Sequence, residues 1–320
     1  MMPSKKIEKH PLTLVYWILK ARSSIGRASV SKTEGWRFDS SRACQMFTVL
    51  YPTFLSLLLL KTCPNGHCSG VTHGSIATIK SFKEVDFDQV DTNALVIFDA
   101  DDTLIFDIVY KGTIREQIFK KLKHRLSSKT LDILSGIIYE KRLPILVEPN
   151  IVDTLRKLKT RHVATVVLTN ATTEKFAGLD TSFEDWRIQD LAKTGLVFND
   201  PFKKTIAFNH LKGCPMLKAG IIFTADHDKG AILRQIFKKL GCSFNKIIFF
   251  DDKKENVFSV AKAAEILGIG YQGYVYKGAE FAPKPKLDKK IEEYRFSILE
   301  KEHVWLTQQE ALERLNCPSY

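Results

Sequence analysis

At 320 residues, with 44% hydrophobic and 26% charged content, the chain has an ordinary globular composition and can bury one sizeable core, with or without a smaller appended unit. The formal net charge of +12 invites an anionic partner, but the first 45 residues hold nine Lys/Arg against three Asp/Glu and supply half of that excess. Charge alone therefore does not support nucleic-acid binding, and the basic run 120–125 reads as a solvated helix face. Six cysteines without a CxxC pair or a nearby histidine at zinc-finger spacing support neither a structural zinc site nor a disulfide framework.

In chain order, residues 21–45, "ARSSIGRASVSKTEGWRFDSSRACQ", resemble a translated transfer-RNA gene. "SSIGRA" can be written as the usual D-arm and "RFDS" as the usual T-arm, in the right order and at a suitable separation. Residues 1–45 are therefore expected to be a spurious extension, with the true start at or near Met46. Residues 47–60, "FTVLYPTFLSLLLL", are too few to span a bilayer and suit the core of a secretory signal. Residues 46–74 are read as a signal peptide and linker, which implies a periplasmic or secreted protein; with an earlier start the expectation is cytoplasmic. Lys61 and the lack of a basic n-region and of an A-x-A site count against the signal, and its alternative is a buried helix or strand. N-terminal sequencing of the native protein checks this.

The folded domain is expected over residues 75–320. Residues 95–98 form a short continuous apolar run, as in a strand buried on both faces of a parallel sheet. Residues 113–142 read as helical from Ile114, Ile118, Leu122 and Leu126, continued by Ile133, Ile137 and Ile138, with Pro144 and Pro149 closing the block. Further helices are predicted at 151–158, 183–191, 230–240 and 256–267, and further strands at 163–168, 204–208, 221–223, 246–250 and 270–276. Residues 287–315 read as mainly helical. Alternating strands and helices imply a parallel sheet with helices on both faces.

Three predicted strands end in polar clusters, "FDADDT", "LTN" and "FFDD". Ligands of open parallel sheets bind at the carboxyl ends of the strands, so these clusters are expected to meet. Carboxylates brought together repel unless a hard cation holds them, and Mg²⁺ takes such oxygen ligands while keeping waters for a phosphate substrate.

Asp99-Ala100-Asp101-Asp102-Thr103, behind its apolar strand, resembles the Asp-x-Asp-x-Thr motif of phosphatases in the haloacid-dehalogenase-like (HAD) superfamily. "VVLTN" with Thr169, "DHDKGAIL" with Lys229 and "KIIFFDDKKEN" with Asp251 and Asp252 follow in that superfamily's order. The resemblance covers roughly residues 76–280 and is nearest to a bacterial group classed only as a domain of unknown function, whose members often carry signal peptides. It implies a Rossmann-like core with a helical cap at about 106–148, a second insertion at roughly 172–225, and an Mg²⁺-dependent phosphomonoester hydrolase acting on a small phosphorylated substrate. In that reading Asp99 is the nucleophile, Asp101 the general acid and base, and Thr169 and Lys229 hold the phosphoryl group. The metal is expected at Asp99, the carbonyl of Asp101 and the Asp251/Asp252 pair, with Asp251 favoured as the direct ligand. Asp102 reads as a loop-stabilising residue, His227 as an exposed loop residue, and Asn256 as either an orienting group or a helix cap. A dehalogenase on the same fold needs neither Asp101 nor a metal, and a non-catalytic binding module tends to lose a motif residue; both alternatives fit the motifs less well. No nucleic-acid partner and no stable membrane span are expected.

Overall fold

The computed structural model describes residues 74–175 and 181–316, so the expected extension and signal peptide, residues 1–73, lie outside the described residues. Eight strands form: β1 (Ser75–Ile79), β2 (Ala94–Phe98), β3 (Ala164–Thr169), β4 (Ile206–Ala207), β5 (Met216–Lys218), β6 (Ile221–Phe223), β7 (Lys246–Asp251) and β8 (Gly270–Tyr276). They join in one sheet in the order β1-β8-β7-β2-β3-β6-β5-β4. The six strands from β1 to β6 in that order are parallel, and β5 and β4 add an antiparallel edge. The chain is an α/β protein.

The central strand β2 carries no polar side chain because both of its faces are covered. Ala94, Val96 and Phe98 enter one apolar layer, and Leu95 and Ile97 enter the opposite one. Helix α3 (Ile151–Thr160) covers the first face through Ile151, Leu155 and Leu158, whose spacing puts them on one stripe. The other face is covered by α5 (Lys229–Leu240) and α6 (Lys254–Leu267). These two helices approach closely at Gly230, where an added Cβ would lie 2.2 Å from the carbonyl oxygen of Ser259. Gly230 also donates its amide to the Ser259 hydroxyl at 2.9 Å, so the start of α5 is fixed against α6.

After β2 the chain leaves the sheet and returns to it. Ile105 pairs antiparallel with Leu146, the Phe106 amide donates to the Ile145 carbonyl at 2.9 Å, and that of Val147 donates to Leu104 at 3.0 Å. Between these ends lie α1 (Ile114–Arg125) and α2 (Ser128–Lys141). They share a small core of their own with α8 (Lys289–Glu302), built on Phe119, Leu122, Leu134, Ile138, Phe296 and Leu299. Helix α4 (Phe183–Ala192) follows β3, a four-residue helix α7 (Gly278–Phe281) follows β8, and α9 (Gln308–Asn316) closes the described chain.

Two strands differ from expectation by being present at all. β1 is an edge strand buried only at Ile79, and β5 has three residues, so neither carries an apolar run to read. The strand expected at 204–208 contracts to Ile206–Ala207. Cys214 and Cys242, the two cysteines among the described residues, are free thiols. Among the described residues no helix is long and apolar enough to cross a membrane.

Candidate functional site

β2 lies between β3 and β7, and the carboxyl ends of these three strands open into a cleft of about 390 Å³. Asp99 follows β2 directly, and its amide donates to the Phe250 carbonyl of β7 at 2.8 Å, which ties the two strand ends together. Lys229, the first residue of α5, donates its ammonium to Asp99 Oδ1 and to Asp251 Oδ2, each at 2.6 Å. All three groups are buried: Asp99 is 6% exposed, Lys229 1% and Asp251 0%. Asp251 is pinned further by the Asn256 amide nitrogen, at 3.0 Å from both carboxylate oxygens, and by the Lys253 main-chain amide at 2.9 Å. Asn256 therefore serves the site by orienting Asp251.

Asp252 completes a cluster in which ligand oxygens of Asp99, Asp251 and Asp252 lie within 4.8 Å of one another. With Asp102, which shares Lys111 with Asp252, four carboxylates face two ammonium groups, Lys229 and Lys111, so carboxylates outnumber cations. Burial pushes the Asp99 carboxyl up to about 8, with Lys229 opposing and Asp251 adding to the rise. Burial also disfavours the Lys229 ammonium, but Asp99 and Asp251 outweigh it and hold the lysine above its ordinary value. An all-carboxylate donor set with an uncompensated charge suits a hard divalent cation such as Mg²⁺.

Thr169 ends β3, lines the cleft and is 1% exposed. Its hydroxyl oxygen accepts from the Ala171 amide at 3.4 Å, and its carbonyl accepts from the Thr224 amide at 2.9 Å. Asp101 lines the same cleft, but its carboxylate turns away from the three clustered carboxylates. Its Oδ2 accepts from Arg187 Nη2 at 2.8 Å. Asp102 has φ 59°, a left-handed conformation that aspartate tolerates through local hydrogen bonding. Its amide donates to the Ile105 carbonyl at 2.7 Å and its carboxylate accepts from the Asp107 amide at 3.4 Å, which is the loop-stabilising role expected of it. His227 presents a ring nitrogen to the Lys212 carbonyl at 2.8 Å and does not line the cleft.

Several cleft residues carried no motif. Lys111 reaches Asp102 at 2.6 Å and Asp252 at 3.2 Å, strapping the loop after β2 to the loop after β7. Tyr139 of α2 and Phe183 and Arg187 of α4 form the opposite wall. Asp107 is held up at about 6 by burial, then by Asp101 and Asp102. Arg187 alone left a trace in the sequence: Phe183, Arg187 and Leu191 recur every four residues, placing a cation on the apolar stripe of a predicted helix. A charge there must be paired once the stripe is buried.

A family described as "Protein of unknown function (DUF2608)" matches residues 78–312. The "Uncharacterized protein RP296" of Rickettsia prowazekii (strain Madrid E) is 25% identical over 238 residues, covering 71% of this chain and 85% of that protein. The matched stretch contains the whole cleft, and the expectation of a family without an assigned function holds at that level.

Proposed function

This chain belongs to the DUF2608 family, and from that premise and the chemistry of its cleft we propose that it is a HAD-type, Mg²⁺-dependent phosphomonoester hydrolase. The observation that carries this reading is Lys229 joining Asp99 to Asp251 at 2.6 Å from each, at the carboxyl ends of adjacent strands. A nucleophilic carboxylate and a fixed cation beside it are what phosphoryl transfer through a covalent intermediate requires.

An Asp99 oxygen attacks phosphorus while the bond to the leaving oxygen breaks, and Asp101 gives its proton to that oxygen. Thr169 and Lys229 donate to the non-bridging phosphoryl oxygens as negative charge moves through them. Water then attacks the phosphorus of the aspartyl-phosphate, Asp101 takes the water's proton, and the bond between Asp99 and phosphorus breaks to free phosphate. Asp99, Asp251 and Asp252 would hold Mg²⁺, which when bound would supply positive charge against the clustered carboxylates and the phosphoryl oxygens. The excursion carrying α1 and α2 acts as a cap, since Lys111 and Tyr139 bring it to the cleft.

The test is phosphate release from a panel of phosphorylated metabolites, in Mg²⁺ and in excess chelator. Release is expected in Mg²⁺ and loss of it in chelator. No release from any member overturns the reading, and undiminished activity in chelator turns it towards dehalogenase-type chemistry.

A further inference from the structure

We propose that Arg187 is the positioning residue that aims the Asp101 carboxyl at the leaving oxygen, an assignment that rests on the phosphatase reading above. Arg187 is 1% exposed, and its guanidinium sits between two carboxylates, 2.8 Å from Asp101 Oδ2 and 3.5 Å from Asp190 Oδ2. Asp190 is fully buried and is also held by Arg142, which donates to the same Oδ2 at 2.5 Å and to Oδ1 at 3.4 Å. Alternating charges thus run from the end of α2, through α4, to the loop after β2. The rings of Phe183 and Trp186 lie 5.7 and 5.1 Å from the guanidinium carbon and restrict its plane.

In the Arg115–Glu292–Arg295 cluster, away from the cleft, every partner is sealed from water. In the Arg187–Asp101 pair only the inner partner is sealed: the Asp101 side chain is 32% exposed at the cleft, against 2% for Arg187. The two Asp101 oxygens also differ. Oδ2 is fixed on Arg187, whereas Oδ1 is buried and has no hydrogen-bond partner. The hold on Oδ2 sets the orientation of the carboxyl before substrate arrives. Neither insertion makes this arrangement alone, because Arg142 closes α2 and Arg187 belongs to α4. Placement of this kind is worth on the order of 10²-fold per ångström of error.

The experiment compares two substrates on the full chain with Mg²⁺: butyl phosphate, whose alkoxide leaves only with a proton, and p-nitrophenyl phosphate, whose phenolate leaves without one. The value of kcat/KM covers the steps up to departure of the leaving group, so it isolates the proton donation. Arg187→Met is expected to lower kcat/KM for butyl phosphate by about 10²-fold while p-nitrophenyl phosphate changes less than about 3-fold, because general-acid catalysis contributes roughly 10²-fold or more only where it is needed. Arg187→Lys, which keeps a cation but loses the fork, is expected to fall between wild type and Arg187→Met. Asp190 retains Arg142 in both variants, which keeps its charge paired. An equal fall for both substrates overturns the proposal, as does loss of the folded state in both variants, which would make Arg187 a core ion-pair residue. Wild-type protein inactive on both substrates would instead overturn the phosphatase reading itself.

Discussion

Two buried charge clusters, one at the strand ends and one under α8, use the same ingredients with opposite balance. In the second, Glu292 is fully buried between Arg115, at 3.0 Å, and Arg295, at 2.5 Å. Arg115 Nη1 and Arg295 Nε donate to the Ile108 and Leu306 carbonyls, and Trp305 lies against both guanidinium groups. Burial pulls Arg295 down, with Glu292 opposing, and none of the three residues lines the cleft. At the strand ends carboxylates outnumber the two lysines, Lys229 and Lys111, that pair with them, and the space beside them is open. Burial of charge is common to both. What separates them is a surplus of carboxylates that faces a cleft, which is a site for a ligand, against a carboxylate with both oxygens paired away from the cleft, which is a joint between elements.

Replacing one member of each cluster should give opposite signatures. Asp99→Asn is expected to lower turnover on the order of 10⁴-fold or more, since the nucleophile is gone. It should leave the melting temperature unchanged or raised, because one surplus anion is removed. Near wild-type phosphate release from that variant would break the comparison. Glu292→Ala leaves two buried guanidinium groups facing each other and is expected to cost about 3–5 kcal/mol of stability. Denaturant titration reads that loss, and activity per folded molecule should stay at the wild-type level. A variant that is stable but inactive would place Glu292 with the site rather than with the joint.

The smallest effect sharpens the point about surplus charge. Asp107 is held at about 6 by burial and by Asp101 and Asp102, above its unfolded value of about 3.9. A carboxyl raised in this way favours the folded state when protonated, so its penalty is absent below about pH 4 and complete above about pH 6. Asp107→Asn should therefore raise the melting temperature at pH 8, by roughly 2–4 °C for a stabilisation of about 1 kcal/mol. At pH 4 it should change nothing. A shift of equal size at both pH values would mean that the gain comes from packing and not from charge.

The α/β class, the buried strands β2, β3 and β7, and the helices after them could be read before any coordinates, because each buries whole apolar runs or stripes that local periodicity records. Asp99, Thr169, Lys229, Asp251 and Asp252 were legible for a related reason. Each stands at or next to the end of such an element, so locating the element locates the side chain. β1 and β5 were not legible: β1 is an edge strand that draws its stability from a neighbour's hydrogen bonds, and β5, paired on both sides, has only three residues, too few to show a period. Nor were the partners of Asp101 and Asp102. Arg187 lies 86 positions beyond Asp101, and Lys111 joins Asp102 to Asp252, 141 residues beyond the lysine. Periodicity reports whether a residue is buried, whereas pairing depends on which buried or rim positions the folded chain brings within about 3 Å. The choice of Arg187 for Asp101, and with it the division of the two aspartates of the motif between different partners, was therefore decided by tertiary packing alone.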